Sequence, residues 1–77
     1  MAEHLEVDIR NTMWPYPKYV IPQVLEKLAS AEKGTVVDIL VDCPSAVDEI
    51  PGILKGEGYS VNTIQVGGGE YKIRAEK

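Results

Sequence analysis

The sequence predicts an α/β fold, a two-layer α/β sandwich with its elements in the order βαβαββ and both helices on one face of the sheet. Three patterns carry that expectation. Apolar and polar residues alternate near the N-terminus and again towards the C-terminus, apolar residues recur at helical spacing between Pro17 and Ala31, and a β-branched run occupies Val36 to Val41.

In HLEVDIR, Leu5, Val7 and Ile9 alternate with Glu6, Asp8 and Arg10, so a half-buried strand is expected from about Leu5 to Ile9. Val20, Ile21, Val24, Leu25 and Leu28 then form one apolar stripe opposite Gln23, Glu26, Lys27 and Ser30, which predicts a first helix over Pro17 to Ala31. Proline lacks an N–H, but in the first turn that N–H has no intrahelical partner, so Pro15 or Pro17 can open the helix. Pro22 lies deeper. It is expected either to kink the helix or to delay its regular part until about Val20, and the kink is favoured.

After Gly34, the run Val36, Val37, Ile39, Leu40 and Val41 is broken only by Asp38, the pattern of a central strand with one face fully buried and the other mostly so. Pro44 suits the first position of a second helix over about Pro44 to Lys55, with Asp48 and Glu49 in its early turns, Pro51-Gly52 bending or splitting it, and Gly56 or Gly58 as its stop. YSVNTIQV and EYKIRAE alternate again, and Gly67, Gly68 and Gly69 join them as a hairpin. If the first two strands are neighbours, the right-handed crossover rule makes them parallel, and both helices then begin at the same edge of the sheet. Helix N-termini gather backbone N–H groups and a partial positive field at that edge, beside Trp14 and Cys43.

Composition narrows the function classes. A chain of 77 residues with 44% hydrophobic and 26% charged residues is expected to be one domain over residues 1–77, burying about 60% of its unfolded surface. Nothing in it reads as a signal peptide or a membrane span, so a cytoplasmic protein without membrane contact is expected. The formal net charge is −4 and the eight Lys and Arg are scattered, which argues against direct nucleic-acid binding. One Cys and one His exclude an internal disulfide and a four-ligand N/S zinc site. No metal and no bound cofactor are expected.

The segments VDIRNTMWPYP and DCPSAVDEIPGILKGEGY, with a helix and a strand between them and a hairpin after them, resemble the small sulfur-carrier family of TusA, SirA and YhhP. That family carries an Asp-x-Arg-Gly-Leu-x-Cys-Pro-x-Pro motif at its first helix and an Asp-Asp-Pro…Asp-Ile-Pro pattern through its second. Asp8, Arg10, Pro15 and Pro17 match the first motif, and Asp42, Pro44, Glu49, Ile50, Pro51 and Gly58 match the second, with Glu49 where the family usually has Asp. The resemblance covers nearly the whole chain, apart from about three extra residues in LASAEKG, a length change that loops absorb easily. It implies a mixed four-stranded sheet of order 1-2-4-3 with strand four antiparallel, and the task of passing a persulfide sulfur between proteins. Its partners would include a cysteine desulfurase or a sulfur acceptor.

The family's cysteine falls on Trp14, its Gly on Asn11 and its Leu on Thr12. An indole cannot carry sulfane sulfur, because that chemistry needs a thiolate. Two readings of Trp14 stand side by side: a recognition anchor, with Arg10, Pro15, Tyr16 and Pro17 around it, or a cap packed on Met13, Tyr16 or the second helix. Cys43 is the one residue able to inherit the sulfur. The field of the second helix would favour its thiolate, Asp42 opposes that, and a buried small hydrophobe is the plainer reading. The chain is thus expected to be a protein-interaction or sulfur-relay accessory module, or alternatively an active carrier through Cys43.

Other candidates carry less. VGGGE lacks the Lys and Ser/Thr of a phosphate loop and reads as a turn. His4, Glu3, Glu6, Asp48 and Glu49 read as solvated or helix-start residues, and Asp8 with Arg10 as a local ion pair. Depending on strand register, which the sequence does not assign, Val36, Leu40, Val61 or Tyr71 would leave apolar surface on the uncovered sheet face, a patch that suggests a partner or a dimer, and a monomer or weak dimer is expected.

Overall fold

The computed structural model describes residues 3–13 and 15–77. The elements are β1 (His4–Asp8), α1 (Tyr16–Ser30), β2 (Val36–Val41), α2 (Pro44–Gly56), β3 (Ser60–Gly67) and β4 (Glu70–Glu76). They form one four-stranded sheet in the order β1-β2-β4-β3. β1 runs parallel to β2, and β4 runs antiparallel to both of its neighbours. This is the βαβαββ sandwich and the strand order expected.

Strand alternation decides which side is dry. Val37, Ile39 and Val41 of β2 face the helices, with Ala75 and Ile73 of β4 in register beside Val37 and Ile39. Ile21, Val24 and Leu28 from α1 and Ala46, Ile50 and Leu54 from α2 join them in one buried cluster, so both helices lie on the same face. Val61 pairs with Ala75 and Tyr71 with Val41, which places both on this helix-covered side, packed against the core. Of the four residues whose face depended on register, Val36 and Leu40 are on the open side.

Both early prolines serve the start of α1: Pro15 is its N-cap, and Pro17 sits buried in the first turn. The helix begins at Tyr16, not at Val20, and runs through Pro22 without a break. Pro22 and Lys18 are both exposed, on the side of α1 away from the core, while the stripe Pro17, Ile21, Val24 and Leu28 is buried on both sides of Pro22. α2 likewise passes Pro51 and Gly52 as one helix rather than two.

The open face is polar, and its centre is a buried carboxylate. Asp38 is 0% exposed although no helix covers it. Its in-register partner Arg74 donates from Nε to Oδ1 at 2.8 Å and from NH2 to Oδ2 at 3.1 Å, and His4 Nε2 donates to Oδ2 at 2.5 Å. His4 is exposed, as expected, yet its ring tip is committed to this cluster. The Arg74 guanidinium holds the Asp38 carboxyl below the usual range against the opposing effect of burial, and His4 adds to it.

Because the folded state binds this proton less tightly, Asp38 contributes stability that is complete above the ordinary Asp pKa of about 4 and is lost as pH falls through the lowered value. Asp38→Asn is expected to cost roughly 1–3 kcal/mol at neutral pH. It should also lose less further stability than the parent between pH ~4 and ~2. Urea denaturation at the two pH values checks both, and equal acid sensitivity of parent and variant would refute the assignment.

Candidate functional site

Parallel pairing of β1 with β2 continues one residue past the strand, where Ile9 N–H donates to Leu40 O at 2.9 Å. The buried Ile9 side chain pins that point to the core. The segment leading into α1 therefore runs alongside the segment leading into α2. Asn11 N–H donates to Asp42 Oδ2 at 2.9 Å across the gap, and Thr12 Oγ1 donates to Ile9 O at 2.5 Å within its own turn.

Asn11 turns the chain at φ 64°, the left-handed region that costs most side chains and that Asn tolerates best after Gly. Pro15 and Met13 then start α1: Tyr16 N–H donates to Met13 O and Lys18 N–H to Pro15 O, each at 2.9 Å. On the other side Cys43, extended at φ −93° and ψ 122°, is the N-cap of α2, and its carbonyl accepts from Val47 N–H at 3.1 Å. Its side chain is half-buried and packs against the core.

Between the two segments lies a cleft of about 580 Å³, lined by Asn11 to Met13 on one side and Asp42 to Ser45 on the other. Asp42 and Pro44 also line a second hollow of about 260 Å³ that reaches Val47, Asp48, Gly69 and Tyr71. Together they make a groove from the start of α1, past the start of α2, to the β3–β4 turn. No acidic residue occupies the first turn of either helix; Asp48 and Glu49 lie in the second turn of α2.

Arg10 is tied down at the groove's flank. Its Nε and NH2 hold Asp8 Oδ1 and Oδ2 at 3.0 and 2.7 Å, and its NH1 reaches Glu70 Oε1 at 3.2 Å. The guanidinium, helped by the Arg10 backbone N–H at 3.0 Å, lowers the Asp8 carboxyl to about 2. The expected local pair is therefore a bridge between the ends of β1 and β4.

The sequence-derived site divides in three. Arg10, Pro15, Tyr16 and Cys43 share the rim. Pro17 is on the same turn but faces the core, because the second helical position points at the sheet, so it shapes the rim from beneath instead of touching a partner. Trp14 lies outside the described residues. Sequence reading missed two exposed residues: Met13, which lines the cleft, is 82% exposed, and Tyr19 on α1 is 67% exposed, joining Tyr16 at 54%. The signal for Tyr19 was its spacing of three from Tyr16, outside the apolar stripe, which puts both rings on one helix flank. No cluster of three or more His, Cys, Asp or Glu suited to a metal forms among the described residues. No helix among them is long and apolar enough to cross a membrane.

Comparison with known proteins agrees with this architecture. The profile of the sulfurtransferase TusA family matches residues 5–77. The candidate sulfur carrier protein YedF of Escherichia coli K12 is 30% identical over 71 residues, 92% of this chain and 88% of its own, and YedF of Salmonella typhimurium matches to the same extent. A crystal structure of a SirA-like protein from Desulfitobacterium hafniense superposes with a TM-score of 0.77 at 22% identity, covering 94% of this chain and 95% of its own, which shows a shared fold.

The left-handed turn at Asn11 makes a sharp prediction. Asn11→Gly is expected to leave stability unchanged or slightly raised, whereas Asn11→Ala should cost about 1 kcal/mol. Thermal denaturation of the two variants checks this, and an Ala variant as stable as the Gly variant would contradict it.

Proposed function

The chain belongs to the TusA sulfurtransferase family, and we propose that it serves sulfur traffic as a protein-interaction or relay accessory module, docking partners at the rim where its two helices begin. One observation carries this reading: Met13, which lines the cleft, is exposed at the entrance to α1 together with Tyr16 and Tyr19 on the first turns of that helix. Rigid aromatic rings with polar tips lose little conformational freedom on binding and are favoured as interface anchors. Trp14 stands at the motif position of the family's thiol. Pro15 and the locked Asp8–Arg10–Glu70 bridge hold the rim in one shape, which limits the ordering cost of binding.

The partner class is a cysteine desulfurase or a sulfur acceptor in the cytoplasm. Binding of a purified desulfurase measured by calorimetry is expected to weaken roughly tenfold or more on Tyr16→Ala or Met13→Ala, with Cys43→Ser close to the parent. Parent-like affinity in both rim variants would overturn the docking reading.

A second reading rests on the position of Cys43, whose residue lines the cleft at the start of α2. In it the Cys43 thiolate attacks the terminal sulfur of a donor persulfide, the donor's S–S bond breaks, the donor leaves as thiolate and Cys43 becomes the persulfide. Incubation with desulfurase and cysteine would then add one sulfur atom to the mass, and Cys43→Ser would abolish the gain. An unchanged parent mass, beside a reference carrier that loads, removes this reading and leaves the first.

A further inference from the structure

Away from the rim, the outer edge of β3 has properties that nothing above uses. β3 is the last strand of the sheet and pairs with β4 alone among the described strands, so half of its backbone N–H and C=O groups point outward. From Ser60 to Gly69 the chain carries no charge and no proline, and every residue from Asn62 to Gly69 is exposed, including Ile64 at 43% and Val66 at 48%. The opposite edge is protected in the usual ways. β1 has only five residues and carries Glu6 and Asp8, which would repel their own copies across a joint.

We propose that two copies of this chain pair antiparallel through β3, joining their sheets edge to edge. A two-fold axis perpendicular to the sheet keeps both helix layers on one side and requires facing residues to come from the same face of each strand. The irregularity between Gln65 and Gly67 ends the regular strand at Gln65, and a joint centred on Thr63 keeps residues 61–65 of both copies within that regular part. In that register Thr63 meets its own copy, Asn62 meets Ile64 and Val61 meets Gln65. Every pair is neutral. An edge that meets itself must avoid charge at the residue on its two-fold axis and like charge at the positions that face each other, and β3 carries no charge along its whole length. One strand joint buries less than the roughly 1,600 Å² of a standard interface, so the pairing is concentration-dependent.

Sedimentation equilibrium of the full chain from about 10 μM to about 1 mM tests this across the range of weak dissociation constants. The parent mass is expected to rise from 8.5 kDa towards twice that value. Thr63→Lys and Thr63→Glu, each checked for folding by circular dichroism, should each stay at the single-chain mass, and an equimolar mixture of the two should associate again, because opposite charges then meet across the axis. A parent that stays at 8.5 kDa throughout overturns the proposal. So do charged variants that associate like the parent, or a mixture that does not recover. Should either charged variant unfold, Thr63→Cys decides. Facing Cα atoms of an antiparallel pair lie about 4.5–5.5 Å apart, within disulfide reach, so mild oxidation should cross-link it well beyond the Cys43 background of the parent, and equal cross-linking refutes the pairing.

Discussion

The parallel, in-register pairing of β1 with β2 is the constraint on which the rest of this molecule hangs. It forces the chain to leave both strands at the same edge, so each following helix starts there and the two connecting segments lie side by side. The Asn11–Asp42 hydrogen bond, the cleft and the neighbouring aromatic rings are all consequences of that one alignment. With β1 antiparallel, the starts of α1 and α2 would stand at opposite ends of the sheet and no common rim would exist. The interior cluster of Ile39, Leu28 and Ile50 supplies the burial that holds the alignment in place.

The polar face follows a different logic. A strand in the middle of a sheet has its backbone groups paired on both sides, so a charged side chain there must be satisfied by side chains from adjacent strands. Asp38 finds Arg74 directly opposite and His4 diagonally, and the three close over one another without a helix above them. Removing one member strands a charge in a dry place, which makes such clusters far more damaging to break than their modest net value suggests.

Most of the architecture was legible in the sequence because periodicity is a local property. The alternation in Leu5 to Ile9 and the stripe from Val20 to Leu28 locate a strand and a helix to within a few residues, and the motif resemblance supplied strand order. What stayed hidden depends on residues brought together from far apart. Asp38 read as an interruption in an apolar run because its partners are 34 and 36 positions away. Val61 and Tyr71 could not be assigned a face before register was known. Pro22 would end an isolated helix, but here burial on both sides of it holds the helix through the missing hydrogen bond. At the site, the order of residues at the two helix starts was readable, while the inward turn of Pro17 and the outward display of Met13 and Tyr19 are three-dimensional facts.

The Asp38 cluster also limits what this sheet can become. A dry third layer laid over the uncovered side would strip water from His4 and Arg74, both still partly hydrated, and would trap three ionisable groups in an apolar seam. The fold is thereby committed to two layers. Any larger architecture that incorporates it must grow around its perimeter, or else bring its own moisture and counter-charges to that side.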